Sequence, residues 1–339
     1  MGESCFFYPD RRYNMSDIKN HEVLDDPMRN IYWSHLKMMR ACPQQYLWHK
    51  GHPDHDLGAG KGKPMPLPDA SKDSEHHQLM GSVLSRVVEE IYDHELYRDP
   101  KTIQQKVRGI VEKEFVACEN KHYVIWSYLT REEALDVCHK GAQNFLELMK
   151  EHRFLGPYAK SELRMTPPMN KYFNVCGIAD LVYRDKDGKV HLLDGKNAST
   201  PMKYEDEDQL RWYALCFRLQ FGVVPDRLGF FYFRYPRSNP PEKHFADKDA
   251  EWTGFVEVKI TSDDIRRLGR EAIETNRAIH RGVFEPNPIP KHCTWCKFEN
   301  ICEPRQAQKK RNAAKRGMGK TKTPDPTTQG AGIIDLNMK

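Results

Sequence analysis

The feature that most restricts the fold of this chain is a pair of apolar segments joined by a tight turn. Lys171–Tyr183 and Val190–Lys196 have the apolar composition of strands, and the Asp-Gly dipeptide between them is a strong hairpin signal. Each segment carries an acid, Asp180 in the first and Asp194 in the second, and a hairpin brings both to the same end of a sheet. Lys196 shares a face with Asp194, because alternate residues of a strand point the same way.

The segments around this hairpin predict an α/β protein. Apolar residues recur at helical spacing through most of the first half, and strands and helices follow in the second half. The predicted elements are helices over 30–50, 78–97, 102–120 and 131–152, strands over 161–165, 171–183 and 190–196, a helix over 207–221, strands over 227–235 and 254–260, and a helix over 263–281 with Thr261 and Ser262 as caps. This order predicts a mixed central sheet flanked by helices, after a mostly helical N-terminal half.

Composition divides the 339 residues into five segments. They are a polar N-terminal segment (1–30), a helical region (31–158), an α/β core (159–290), a cysteine segment (291–304) and a basic tail (305–339) that we predict to be disordered. No apolar run approaches the roughly 18 residues of a membrane-spanning helix, and the N-terminus lacks the pattern of a signal peptide. We therefore predict a cytoplasmic protein that is not secreted and has no membrane partner.

Positive charge is concentrated in the tail. The net charge of the chain is +5, but residues 305–339 include nine basic and two acidic residues, so the remainder carries a net charge of −2. The tail therefore predicts loose attraction to phosphate groups, with a purely solubilising role as the alternative. Its apolar patch, Ile333–Leu336, is a candidate docking site for a protein partner.

The acids of the hairpin indicate metal-dependent chemistry. Acids on an apolar strand are costly to bury without a counter-charge, and Mg²⁺ or Mn²⁺ is a hard cation that carboxylates bind. Such an ion can activate a water, which Lys196 is placed to orient. Glu162 on the preceding strand is a candidate third acid, and Gln209 and Tyr213 share a face of the next helix. The alternative interpretation is that the acids are solvated at the open end of a hairpin.

The nine cysteines include a cluster near the end of the predicted fold. Their odd number and the absence of an export signal favour metal binding over disulfides. Cys293, Cys296 and Cys302 form a tight triplet, and three thiols need a fourth ligand for a tetrahedral or cubane site. The triplet alone favours zinc, with His292 or Cys42 as the fourth ligand.

The order of these motifs resembles that of a known family. The motifs occur as Glu162, Gly177-x-x-Asp180, Asp194-x-Lys196 and Gln209-x-x-x-Tyr213. This series resembles the PD-(D/E)XK nuclease superfamily and, within it, the RecB-type and CRISPR-associated iron–sulfur exonuclease branch. The resemblance implies a restriction-endonuclease-like core in which Asp180 and Asp194 bind Mg²⁺ or Mn²⁺, Lys196 is catalytic, and Gln209 and Tyr213 contact DNA.

One motif departs from the family pattern. An early helix of the family carries Gly-x-x-x-His, whose histidine binds metal, whereas here Gly81 is followed by Ser85 in the histidine position. Glu89, one turn later, or His77, two turns earlier, is a candidate substitute. The number of metal ions is therefore open.

The resemblance also implies a fourth ligand for the cysteine triplet. The iron–sulfur branch joins an N-terminal cysteine, often followed by proline and aromatic residues, to a C-terminal triplet. Cys42 precedes Pro43, so the resemblance implies that Cys42, Cys293, Cys296 and Cys302 hold a structural [4Fe–4S] cluster, which clamps the C-terminal segment to an N-terminal helix. Zinc remains the alternative.

The resemblance implies a function and leaves two alternatives. It implies a metal-dependent DNA exonuclease that acts on single-stranded or end-bearing DNA in recombination, repair or replication, in a bacterial or virus-infected cell. The first alternative is a nuclease fold that binds DNA or a protein without cleavage, which the missing histidine at Ser85 suggests. The second is a zinc-binding regulator.

Overall fold

The structure, a computed structural model, describes residues 29–66, 74–121, 124–198, 206–234, 254–294 and 296–318. The chain divides into two units. The first unit comprises residues 1–40 and 69–283, and the second comprises 41–68 and 284–339. Most of the predicted helical region thus shares a unit with the α/β core, whereas the cysteine segment is grouped with residues 41–68.

The helices and strands follow the predicted order closely. The helices are α1 (Trp33–Ala41), α2 (Pro43–Lys50), α3 (His76–Asp93), α4 (Pro100–Glu119), α5 (Arg131–Glu151), α6 (Glu207–Phe221), α7 (Ser262–His280), α8 (Pro290–Cys293) and α9 (Glu303–Met318). The strands are β1 (Asn30–Tyr32), β2 (Ser74–Glu75), β3 (Val124–Ile125), β4 (Tyr158–Met165), β5 (Asn174–Arg184), β6 (Val190–Lys196), β7 (Arg227–Tyr232) and β8 (Phe255–Val258). In the part of the chain that the structure describes, no helix is both long and apolar enough to cross a membrane.

The central sheet of the first unit is mixed, which confirms the predicted fold class. β5 pairs antiparallel with β4 and β6, β6 pairs parallel with β7, and β7 pairs antiparallel with β8. β1 adds a short parallel pairing with β5. The predicted hairpin is therefore the centre of a restriction-endonuclease-like α/β architecture with helices against its sheet.

Helices pack against this sheet through a large apolar core. α3, α4 and α5 contribute residues such as Val87, Phe115 and Phe145, which cluster with Leu193 and Phe231 of the sheet. Burial of such side chains contributes about 1.5–3 kcal/mol each, so the first unit has ample apolar burial to support polar groups elsewhere. α6 packs against β5 and β6.

Local sequence explains where several helices begin. Thr261 caps α7 as predicted: its hydroxyl accepts from the N–H of Asp264, and the Asp264 carboxylate accepts from the N–H of Thr261. Thr130 and Glu133 form the same reciprocal arrangement at the start of α5. These contacts satisfy N–H groups that the first helical turn leaves without a partner.

The predicted single helix over 30–50 is wrong. Asn30–Tyr32 is a strand, and α1 and α2 are separated at Cys42, whose backbone is extended at φ −163 and ψ 106. Proline disfavours helical geometry in the residue before it, so Pro43 ends α1 and begins α2 at its own first position. The break places the Cys42 thiol at a helix junction.

The prediction of a disordered tail is wrong for its first part, because Glu303–Met318 forms α9. Arg305 is buried and its guanidinium donates to Oε1 of Glu299 at 2.9 Å. The segment is rich in Ala, Gln, Lys and Arg, which favour helices even where no apolar face exists. Residues 319–339, with the Ile333–Leu336 patch, lie outside the described residues.

The second unit has a small core of its own. Tyr46 of α2 stacks on Phe284 with ring centres 6.1 Å apart, and Trp48 meets Phe298 edge-on at 5.2 Å. Phe298 is fully buried. These aromatic contacts connect two segments that are more than 200 residues apart in the chain.

Candidate functional site

Asp180 and Asp194 lie next to each other on paired strands of the first unit. The last pair of β5 and β6 at this end is Leu181 with Leu193, and the two aspartates are the next opposing residues in that register. Oδ2 of Asp180 accepts a hydrogen bond of 2.7 Å from the N–H of Gly195. Strand pairing therefore produces the convergence of acids that the hairpin predicts.

Lys196 and Gln209 complete a polar network around Asp194. Nζ of Lys196 lies 2.6 Å from Oδ2 of Asp194 and donates to Oε1 of Gln209 at 3.0 Å. The Gln209 amide donates to Oδ1 of Asp194 at 3.1 Å and to the Tyr213 hydroxyl at 2.8 Å. Gln209 thus connects the acid, the lysine and the tyrosine, and this network brings together four of the predicted site residues.

Gly177 is where β5 and α6 approach each other closely. A Cβ atom at this position would lie 2.9 Å from Cδ1 of Tyr213, closer than real contacts allow. A side chain at 177 would push Tyr213 away from Gln209. The glycine of the Gly-x-x-Asp motif therefore has a packing role that is independent of any catalytic role.

Burial raises the pKa values of both paired aspartates, and repulsion from Asp194 adds to the shift of Asp180. Burial raises the pKa of Asp180 well above its ordinary value, and the charge of Asp194 adds to this effect, although the Gly195 N–H opposes it. Burial also raises the pKa of Asp194, against the charge of Lys196. A nearby cation would relieve this repulsion, so the pair has the electrostatics of a cation site.

Glu162 extends the pair of aspartates to a row of three acids. The pairing of β4 and β5 places Glu162 opposite Asp180. The backbone φ angle of Glu162 is 45°, which is strained for a residue with a side chain. Strained backbone of this kind is concentrated at functional sites. Burial raises its pKa, and the charges of Glu89 and Asp194 act in the same direction. We call Glu162, Asp180 and Asp194 the carboxylate row.

The two candidates for the missing histidine lie at different distances from this row. Glu89 is one turn after Ser85 on α3, and its charge acts on Glu162. His77 is exposed at the other end of α3, where its ring contacts that of His76. Glu89 is twelve positions after His77 on the helix, which corresponds to a rise of about 18 Å. The structure therefore brings Glu89, and not His77, to the row.

Asp208 is a residue of this region that sequence reasoning missed. It precedes Gln209 on α6 and accepts hydrogen bonds from Arg40 at 3.2 Å, Arg211 at 3.3 Å and Arg267 at 2.6 and 3.0 Å. Burial tends to raise its pKa, but Arg267 and the other arginines hold it below the ordinary value. These arginines come from α1, α6 and α7, so they fix the start of α6 and with it Gln209. No local pattern connects residues so far apart in the chain.

The four predicted cluster cysteines line one cavity of the second unit. Cys42 lies between α1 and α2, Cys293 ends α8, and Cys302 precedes α9, with Cys296 in the connecting turn. Burial raises the pKa values of Cys293 and Cys296, and the other thiols of the cavity add to this effect. Cys42 therefore lines the same cavity as a triplet from which it is separated by about 250 residues of the chain.

Polar groups around this cavity contact the sulfur atoms. The N–H of Asn287 donates to Sγ of Cys42 at 3.4 Å, and the Asn287 amide donates to the carbonyl of Ala41 at 3.2 Å. His292 lines the same cavity, as the zinc alternative requires, and its Nδ1 is buried without a hydrogen bond. Within the described ranges, no group of three or more His, Cys, Asp or Glu side chains is arranged to hold a single metal ion as it stands.

Comparison with known proteins identifies a family and several distant structural similarities. The family model of the PD-(D/E)XK nuclease superfamily matches residues 33–303. The crystal structure of SSO0001 is similar at a TM-score of 0.31 and 13% identity, over 70% of this chain and 88% of that chain. Protein VC1899 from Vibrio cholerae is similar at a TM-score of 0.22 and 12% identity, over 64% of this chain and 56% of that one. At these TM-scores neither similarity establishes a shared fold, and no curated protein matches the sequence significantly.

Proposed function

Because the chain belongs to the PD-(D/E)XK nuclease superfamily, we propose that it is a metal-dependent DNA exonuclease acting on single-stranded or end-bearing DNA in recombination, repair or replication. The observation that supports this proposal best is the carboxylate row with Lys196 beside it. The row lies on adjacent strands of a rigid sheet, which is the kind of support that a hydrolytic site needs.

The chemistry of the row fits Mg²⁺ or Mn²⁺. Asp180 and Asp194 would hold the ion, with Glu162 and Glu89 as further oxygen donors and water completing the shell. Asp194 supports this assignment, because its buried Oδ2 has an ion pair with Lys196 but no hydrogen bond of good geometry. A bound ion of this type supplies charge neutralisation and lowers the pKa of water.

Lys196 and Gln209 would position the reacting groups. The Lys196 ammonium is held between Asp194 and Gln209, so its orientation is set before substrate arrives. It would orient the attacking water and offset negative charge that develops on the phosphate. Gln209 and Tyr213 would contact the DNA backbone or a base, and their mutual hydrogen bond aligns them for this.

The cysteine cavity supports a [4Fe–4S] cluster as a second part of the proposal. Cys42, Cys293, Cys296 and Cys302 would supply the four thiolates that such a cluster needs. A single zinc ion would instead need all its ligands at about 2.0–2.3 Å from one point. Iron, sulfide and zinc content of protein purified without oxygen separates the two: a brown preparation with four irons per chain supports the cluster, and a colourless zinc-loaded one contradicts it.

End-labelled DNA tests the enzymatic part. We expect the wild-type protein to degrade linear single-stranded DNA in Mn²⁺, to leave covalently closed circles intact, and to stop when a chelator is added. Asp194→Asn should lower the rate about 10³-fold, since metal assistance supplies several kcal/mol of transition-state stabilisation.

Asp187→Asn is the matched control for this substitution. Asp187 is an exposed acid in the turn of the same hairpin, so its loss should leave the rate unchanged. Degradation by the Asp194 variant at the wild-type rate would contradict the proposed site. Binding without cleavage by the wild-type protein would identify a nuclease fold that only holds DNA, and digestion of circles would indicate an endonuclease.

A further inference from the structure

The most one-sided charge distribution of the second unit lies on α9. After Glu303 the next acidic residue of the sequence is Asp325, and eight lysines and arginines lie between them. The second unit as a whole carries a net charge of +7, whereas the first unit carries −2. The net positive charge that would attract a polyanion at long range therefore lies in the second unit.

The first turns of α9 are anchored. The buried guanidinium of Arg305 donates to Glu299 at 2.9 Å and to the Gln308 side chain at 2.7 Å. Gln306 donates to the carbonyl of Glu299 at 2.7 Å, and Lys309 lies 3.1 Å from the Glu299 carboxylate. These contacts fix the direction in which the rest of the helix projects.

The rest of α9 is exposed and holds cations without acidic neighbours. All seven residues from 309 to 315 are exposed. Of the residues that the structure describes, none forms a carboxylate ion pair with Lys310, Arg311 or Lys315, whereas Lys309 is paired. Arg311 and Lys315 are one turn apart on the same side of the helix, an arrangement of like charges that destabilises a helix in the absence of an anion.

We propose that the face of α9 formed by Lys310, Arg311 and Lys315 binds the phosphate backbone of DNA. Solubility alone needs no single-sign face, because interspersed charges of both signs serve it without self-repulsion. A group of exposed cations on an anchored helix is suited to a polymer that presents regularly spaced anions. The choice of DNA as that polymer rests on the proposed nuclease function.

The salt dependence of binding tests the proposal on the full-length protein. Fluorescence anisotropy with labelled single-stranded DNA, in chelator to prevent cleavage, gives the slope of log K against log[NaCl]. Replacing all three residues by glutamine should reduce the magnitude of this slope by about 2, since each phosphate contact contributes about 0.7 for single strands. Glutamine is a good helix former, so the circular dichroism of the variant should match the wild type.

A matched control variant distinguishes an effect of the α9 face on DNA binding from an effect of the protein's total charge. Lys101, Lys106 and Lys121 are exposed lysines on and just after α4 of the first unit, and their replacement by glutamine removes the same charge. We expect this control to keep the wild-type slope. An unchanged slope in the α9 variant, or an equal reduction in the control, would overturn the proposal.

Three further outcomes are decisive. Wild-type protein that sediments with phosphatidylserine vesicles but does not bind DNA would assign the face to an anionic lipid surface and overturn the proposal. If the wild-type protein cleaves DNA but the α9 variant keeps the wild-type slope of log K against log[NaCl], this inference is rejected and the proposed nuclease function stands. A reduced slope in a protein that never cleaves DNA would reject only the nuclease function.

Discussion

The two units of this protein support their sites in different ways. The carboxylate row of the first unit lies on paired strands with a large apolar core beside them. The four cysteines of the second unit lie on short helices and turns, around which few described side chains are fully buried. The first site is costly to assemble because its acids repel one another, yet the core of its unit offsets that cost.

This difference bears on what the ion and the cluster proposed above would contribute to each unit. A small set of aromatic contacts rarely stabilises a fold without a disulfide or a metal. A cluster that joins Cys42 to the C-terminal triplet would close a very long loop, and such a link supplies the second unit with stability that its core lacks. Under the proposed function, the first unit would need an ion for chemistry, whereas the second would need a cluster to fold.

The largest effect is expected from loss of Cys293, a ligand of the proposed cluster. Cys293→Ala should remove the cluster and unfold the second unit, because structural metal sites contribute on the order of 10 kcal/mol. Hydrogen exchange should then rise sharply over 41–66 and 284–318, while β5 and β6 remain protected. Cys118→Ala, in α4 of the first unit, is the control and should keep both units protected apart from a small local loss. If the second unit is equally protected from hydrogen exchange with and without Cys293, it does not depend on a cluster to fold, and the contrast drawn between the two units is wrong.

A smaller effect is expected from Asp208, whose loss tests how the first unit holds Gln209. Asp208→Ala leaves three arginines around an empty position and should lower the free energy of unfolding by about 1–3 kcal/mol. Denaturant unfolding measures this change.

Asp263→Ala is the control, because Asp263 is highly exposed and pairs with the exposed Arg266 of the same helix. That variant should change stability by less than about 0.5 kcal/mol. Similar losses in the two variants would show that the arginines do not anchor α6.

The smallest expected effect is a gain of stability when Asp180 is replaced by asparagine. Because the pKa of Asp180 is raised above its ordinary value of 3.8, the folded protein binds that proton more tightly than the unfolded chain does. Stability of the metal-free protein should therefore fall as pH rises from about 4 through the raised pKa. Asp180→Asn avoids this loss and keeps an oxygen for the Gly195 N–H, so it should raise Tm at neutral pH by about 2 °C or more.

The comparison between pH values is the check on this last prediction. Thermal unfolding in chelator should show that the Asp180→Asn variant and the wild type differ at pH 7 and coincide below about pH 4, where the wild-type acid is protonated. A variant that is less stable than the wild type at pH 7 would mean that the ionised acid is stabilised by its surroundings, against the repulsion inferred for the row.

Local patterns predicted most elements of the first unit. The bounds of β6 and α6 match the segments predicted from alternating and helical spacing, since strongly patterned segments reveal their type locally. The predicted secondary structure was wrong where a single residue or one anchoring contact decided which element formed. Pro43 divided a predicted helix, and the contacts of Arg305 support a helix in a segment too polar for a core.

What the sequence alone determined is the type and order of the elements and the residues capable of acid or thiol chemistry. Only the tertiary structure decided which of these residues meet. Register between strands set Glu162 opposite Asp180, and packing between distant segments brought Cys42 to the triplet and three arginines to Asp208. The physical reason is that propensity acts over a few residues, whereas pairing and packing depend on the free energy of contacts between parts of the chain that are far apart.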